Sequence, residues 1–192
     1  MPRRLTVLQL LPALQSGGVE RSTLEIAAAL VAAGHRALVV SAGGHLLPAG
    51  QAGGGGDPAL HLGRKSPAVL RHVPALRALL LRERVDIVHA RSRLPAWLGR
   101  MALATLPAAR RPRWATTVHG LNSPGRHSAV MASGERVVCV SETVRDYVLR
   151  HYPATDPARL RVIPRGIDPA QFPRRPHPDE AARAHLAREH PA

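Results

Sequence analysis

Short apolar runs alternate along this chain with stretches of helical period, and no other feature restricts its fold as strongly. Leu5–Leu11 is a mostly apolar run ended by Pro12, the pattern of a parallel strand buried on both faces. After Gly17-Gly18, residues Thr23, Ile26, Ala27 and Leu30 recur at helical spacing, and Gly34 is placed to end that helix. Further strands are expected at Ala37–Val40, Val85–His89, Trp114–His119, Val137–Val140 and Leu160–Ile163, with a short one at Leu60–Leu62. Helices are expected after Ser66-Pro67, over Leu94–Thr105 with Trp97, Leu98 and Met101 facing inward, and after Ser141 with Val144, Tyr147 and Val148 on one side. Pro74 falls within the apolar pattern of the first of these, so that helix is kinked there or starts near it. Strands and helices alternating at this rate give an α/β fold, a parallel sheet with helices on both faces.

The chain has 192 residues, 45% of them apolar, and a chain of this size can bury about 70% of its unfolded surface. No apolar window reaches the roughly 18 residues a membrane span requires. The basic start, Pro2-Arg3-Arg4, leads to Gly17-Gly18 and not to a small-residue cleavage site, so no signal peptide is expected. Cys139 is the single cysteine; it cannot form an internal disulfide, and a cytoplasmic, reducing compartment fits. The net charge is +14, with Lys65 the only lysine and the arginines scattered. That charge fits a solvated basic surface, or a face that meets the anionic inner surface of the cytoplasmic membrane. Nucleic acid is disfavoured as a partner: 3% aromatic residues leave few stacking platforms, and no basic helix concentrates the charge. Gly53–Gly56 points to a flexible loop within 43–58. Pro173, Pro176 and Pro178 read as a linker, followed by a possible helix start at Ala181–Arg188.

Ligands of such sheets bind beyond the carboxyl ends of the strands, which directs attention to Gly17, Gly18, Ser41, Arg91, His119, Gly120, Ser141 and Glu142. Gly17-Gly18 sits between a strand and a helix, where free N–H groups attract phosphate; a plain tight turn is the alternative. The nicotinamide fingerprint is incomplete, and the Walker A motif is absent. His119, followed by Gly120, can hydrogen-bond a sugar hydroxyl or stabilise developing charge, or it can be a structural histidine. Arg91 and Arg93 fall at a strand end, where they can meet an anionic acceptor; Asp86 caps or anchors its strand, and His89 reads as a core histidine. Ser141 is an N-cap and Glu142 suits a helix's first turn. There is no Asp-x-Asp pair and no GxSxG elbow.

Taken in order, Gly17-Gly18-Val19-Glu20, Asp86-Ile87-Val88-His89-Ala90, Thr117-Val118-His119-Gly120, Val140-Ser141-Glu142 and Val162–Asp168 resemble the N-terminal half of the retaining, GT-B-fold glycosyltransferases of family four. The likeness covers residues 4 to 173, and His89–Trp97 is further similar to bacterial lipopolysaccharide-core transferases. The resemblance implies one Rossmann-like half of a GT-B fold, which receives the acceptor while the other half holds the nucleotide sugar. It also implies that Gly17 and Gly18 approach the donor diphosphate or the acceptor, and that His119 contacts the transferred sugar near its anomeric carbon. Ser141 and Glu142 would line the cleft, Asp168 would lead to the interdomain linker, and neither metal nor cofactor would be needed beyond the nucleotide sugar as co-substrate.

The family's glutamate pair, two residues with seven between them, has no counterpart here: Glu180 and Glu189 have eight between them and sit in a polar tail. Residues 1–172 are therefore expected to form the acceptor-side domain, and 173–192 the linker and start of a missing donor-binding domain. The expected function is half of a glycosyltransferase acting with retention on a cell-envelope glycan or lipid acceptor, of lipopolysaccharide-core type, and inactive alone. The alternative is a non-catalytic half that pairs with a separately encoded donor-binding domain or binds a membrane surface. Either would be cytoplasmic, or peripheral on the inner face of the cytoplasmic membrane.

Overall fold

The computed structural model describes residues 3–13, 18–42, 67–167, 169 and 179–189. Its strands are β1 (Thr6–Ala13), β2 (Arg36–Ala42), β3 (Ile87–Ala90), β4 (Arg113–Val118), β5 (Arg136–Cys139) and β6 (Leu160–Val162). Its helices are α1 (Gly18–Ala32), α2 (His72–Arg82), α3 (Arg93–Ala104), the single turn α4 (Arg126–Ala129), α5 (Glu142–His151) and α6 (Glu180–Glu189). All strand pairings are parallel, in the order β2-β1-β3-β4-β5-β6.

Successive strand residues point to opposite faces, and the two faces are covered differently. Leu8, Leu10, Val40, Val88, Ala90, Val137 and Cys139 share one core with Leu76 and Leu79 of α2, Leu98 and Ala102 of α3, and Val144 and Val148 of α5. On the other face Leu11, Ala37 and Val39 pack against Ala27 of α1. The helices thus lie on both faces, as the alternation of elements predicts. On α1's side, the described helices cover β1 and β2 and leave His89, Thr117 and Val138 beside a cavity.

Local chemistry accounts for the element ends. Gly34 has φ +82°, and the N–H groups of Gly34 and His35 donate to the carbonyls of Val31 and Leu30 at 2.9 Å each, a Schellman closure that favours glycine. Asp86 accepts a bond from the Thr6 N–H at 2.8 Å and pairs with Arg3, so it anchors β1 to β3 as expected. A 3-10 turn, Pro67–Arg71, runs directly into α2, and Pro74 lies in the first α-helical turn after it; the α-helix proper begins near the proline.

Three expectations are corrected. β1 does not stop at Pro12 but continues to Ala13, with a register shift between Leu10 and Ala13; proline has no N–H for the ladder, and the extra residue forms a bulge there. Trp97 and Met101 do not face the core: they are 37% and 39% exposed. Leu98 does turn inward, 1% exposed, but beside it α3 meets the sheet through Gly99, where a Cβ would lie 2.7 Å from Leu10 Cδ1 and 3.2 Å from Trp114 Cζ3, so the helix sits too close to the sheet there to admit an indole. Trp97 turns outward and donates its indole N–H to the His127 carbonyl at 2.9 Å. Ile26 is also 38% exposed and lines the cavity, leaving Thr23 and Ala27 as the buried stripe of α1. The expected strand at Leu60–Leu62, the Gly53–Gly56 loop and the 173–178 linker lie outside the described residues.

Candidate functional site

A cavity of about 560 Å³ opens at the carboxyl ends of the strands, between α1 and the segment after β6. Its wall draws Gly18 from the start of α1, His89 and Arg91 from the end of β3, Thr117 and His119 from the end of β4, and Arg165 from beyond β6. A smaller hollow of about 350 Å³ shares Arg91, Thr117 and His119 and adds Gly120. Gly18, Arg91, His119 and Gly120 are therefore brought to one rim. Gly17 lies outside the described residues.

Arg91 is the best-held cation of the site, 4% exposed. Its Nη1 donates to Gln9 Oε1 at 3.2 Å and its Nη2 to Ser22 Oγ at 2.6 Å. Ser22 passes its own proton to the Val19 carbonyl at 3.0 Å, and Gln9 Nε2 donates to the Thr23 carbonyl at 3.0 Å. The guanidinium is thus wired to the first turns of α1, but among the described residues it has no carboxylate partner and its Nε has no acceptor. Burial, and then the neighbouring charge of Arg165, lowers its pKa to about 10, which leaves it charged at neutral pH.

Arg165 donates from Nη2 to His119 Nδ1 at 2.6 Å. Arginine has no acceptor, so His119 must accept through Nδ1 and carry its proton on Nε2. That Nε2 is buried and has no partner among the described residues. Arg165 also reaches the start of α1: a Cβ on Gly18 would lie 2.7 Å from Arg165 Nη1, the far end of that flexible side chain. His89 sits one layer deeper, with Nε2 2.6 Å from Thr117 Oγ1.

Both histidines are held neutral. Burial first, then Arg91, Arg165 and His89, lowers His119 from 6.5 to about 3, and burial followed by Arg91 does the same to His89. The unfolded chain takes up these protons as pH falls below 6.5, whereas the folded chain does not until about pH 3. These two groups therefore remove stability as pH falls from 6.5 toward 3. His119→Gln is expected to flatten the decline between about pH 6 and about pH 4 by up to about 1.4 kcal/mol per pH unit, measured by urea unfolding across that range. An unchanged slope would contradict the neutral imidazole.

Ser141 and Glu142 lie apart from this wall. Ser141 Oγ caps α5, accepting from the Val144 N–H at 3.2 Å, and Glu142 pairs with Arg145 at 2.7 Å. Ser41 is buried near the carboxyl end of β2 and its Oγ has no partner among the described residues, but it does not line the cavity. Arg93 donates to Ser128 Oγ at 3.3 Å. Cys139 is buried, and burial pushes its thiol up to about 11, against a smaller downward pull from Arg145, so the thiolate is scarce at neutral pH. Among the described residues no cluster of His, Cys, Asp and Glu could hold a metal ion, and no helix is long and apolar enough to cross a membrane.

The profile of Glycosyltransferase Family 4 matches residues 16–171, a span that holds every wall residue named above. The chain belongs to this family. Its fold is similar over 98% of its length to half (50%) of a glycosyltransferase from Rickettsia africae ESF-5, with a TM-score of 0.69 and 28% identity. Sucrose-phosphate synthase from Thermosynechococcus elongatus is similar in fold over 95% of this chain and 52% of its own, with a TM-score of 0.66 and 19% identity. A stretch of 55 residues is 46% identical to alpha-maltose-1-phosphate synthase of Mycolicibacterium smegmatis, covering 28% of this chain and 14% of that protein. The chain thus spans about half the length of those solved structures and less of the curated relative. Its parallel sheet is one Rossmann-like half of the GT-B fold of these transferases.

Two wall residues escape a reading of the sequence, in part or in whole. His89 alternates with Ile87 and so reads as a satisfied core histidine; it is bonded to Thr117 and desolvated as that reading has it, but it also lines the cavity. Arg165 lies 46 positions from His119, but the rule that singled out the other strand ends applies equally to Pro164-Arg165-Gly166 beyond β6.

Proposed function

We propose that this chain is the acceptor-side half of a retaining glycosyltransferase, one that moves a sugar from a nucleotide-sugar donor to a cell-envelope glycan or lipid-linked acceptor of lipopolysaccharide-core type. The donor-binding half lies outside residues 1–172, and the chain alone is inactive. The observation that carries this reading is the convergence of Gly18, Arg91, Arg165 and a neutral His119 on one cavity rim. The unmatched Nε2–H of His119 donates to a hydroxyl of the transferred sugar as charge develops at its anomeric carbon. Arg91 and Arg165 offset the charge of the leaving diphosphate, and the first N–H groups of α1 add to that field.

The test combines this chain with a donor-binding half carrying the family's glutamate pair and follows transfer from radiolabelled nucleotide sugars. Transfer with retention at the anomeric carbon is expected from the combination and none from the chain alone. His119→Ala is expected to lower kcat by about 10²–10³. Robust turnover by the 192-residue chain alone would overturn the half-enzyme reading. Inversion, or an unaffected His119→Ala, would overturn the mechanism.

A further inference from the structure

A second cavity, of about 640 Å³, lies at the amino-terminal edge of the sheet, a full strand length from the first. The six residues of β4 alone separate the two by about 20 Å. It is lined by five arginines, Arg3, Arg84, Arg110, Arg111 and Arg113, against one carboxylate, Asp86, which is taken by Arg3. Arg113 pairs with Glu135 at 2.8 Å, and Arg111 donates to the Leu106 carbonyl at 3.0 Å. Arg84 and Arg110 have no carboxylate partner among the described residues. The floor between them is apolar, with Leu80, Val85 and Pro112.

Arg84 is also in a conformation that suits another residue. It follows α2 with φ +49°, its N–H donating to the Leu81 carbonyl at 3.3 Å while Val85 N–H donates to Leu80 at 3.1 Å. Helix α1 closes by the same pair of bonds and places Gly34 at this position. A left-handed arginine costs stability that glycine would not, so the side chain serves some purpose other than closing the helix.

We propose that this cavity is an anion site for a phosphate-bearing ligand, with Arg84 and Arg110 meeting the phosphate and the apolar floor meeting its carbon skeleton. Guanidinium forks match phosphate oxygens in pairs, and two cations without carboxylate partners suit a doubly charged group better than a single carboxylate. The phosphate is carried either by a soluble metabolite or by a lipid headgroup. The site is independent of the glycosyl-transfer reading, because it shares no residue with the carboxyl-edge cavity.

The full chain, Arg84→Gly, Arg110→Gln and Arg165→Gln are titrated with inorganic pyrophosphate by calorimetry at low salt. They are also sedimented with phosphatidylcholine vesicles with and without phosphatidylglycerol. Arg84→Gly and Arg110→Gln are each expected to weaken one class of pyrophosphate site about tenfold or more, a class that Arg165→Gln leaves intact. Arg84→Gly is expected to raise the thermal midpoint at the same time, which a purely structural role for Arg84 would not allow. Vesicle binding that depends on phosphatidylglycerol and is lost in Arg84→Gly assigns the headgroup; pyrophosphate binding without it assigns the soluble ligand. Wild-type affinity in Arg84→Gly, a lowered midpoint, or no binding beyond the class removed by Arg165→Gln would overturn the proposal.

Discussion

Leu10→Ala is expected to destabilise the fold by about 2–5 kcal/mol, a large part of the roughly 5–15 kcal/mol that holds a domain of this kind together. Leu10 is fully buried at the centre of β1, paired in register with Val40 on one side and Ala90 on the other. Its carbonyl accepts the backbone N–H of Arg91 at 2.9 Å, so the loss propagates to the rim of the carboxyl-edge cavity. The cost depends on how far the surroundings collapse into the space, and here the neighbour facing Leu10 is known. A Cβ on Gly99 would meet Leu10 Cδ1 at 2.7 Å. Gly99→Ala alone is therefore expected to cost about 1–3 kcal/mol by overpacking. In the double variant the new methyl enters the space the leucine vacates. Urea unfolding should then show the two changes costing less together than their sum, by about 0.5–3 kcal/mol. Additive costs would mean that α3 does not press on β1 as closely as the structure places it.

That close approach also shows where the sequence was legible and where it was not. The alternation of elements, the buried strands and the closure of α1 at Gly34 follow from period, composition and one glycine's backbone freedom, all local properties. The inward turn expected of Trp97 and Met101 failed because periodicity marks an apolar stripe but not the distance to the next layer. Gly99 and Ala102 set that distance beside the buried Leu98, and it leaves no room for an indole. His89 was legible only in part, for the complementary reason: it is desolvated and bonded as a core histidine would be, yet it also borders the cavity. Alternation assigned it to a face, but only the arrangement of distant helices decides that α1 stops short of β3 and leaves this face open. The rim itself was legible through one topological rule, that ligands sit beyond strand ends: it located Gly18, Arg91, His119 and Gly120. The hydrogen bond from Arg165 to His119, which fixes the tautomer, joins segments that no local pattern connects.

Arg91→Met is expected to separate the site's function from its stability. The guanidinium is buried without a carboxylate partner among the described residues, and taking a charge out of water is expensive when hydrogen bonds alone compensate it. Methionine removes that cost and fills much of the same volume. Against this, Gln9 Oε1 loses its donor at the centre of the sheet, a penalty of about 1–3 kcal/mol; Ser22 keeps its bond to the Val19 carbonyl. The opposing terms are of similar size, so the unfolding midpoint is expected to stay near that of the parent chain. The anion affinity of the carboxyl-edge cavity has no such offset. A charged hydrogen bond to an anion contributes about 1.5–3 kcal/mol, so pyrophosphate binding at that cavity should weaken by about 10- to 150-fold. Removing the positive neighbour also relieves part of the pressure that keeps His119 neutral, and the imidazole should then titrate closer to its ordinary value, as seen by the pH dependence of its ring proton resonances. A variant that unfolds outright would show that Arg91 is a strut and not a ligand. One that retains both its midpoint and its full pyrophosphate affinity would show that the buried cation faces nothing at all.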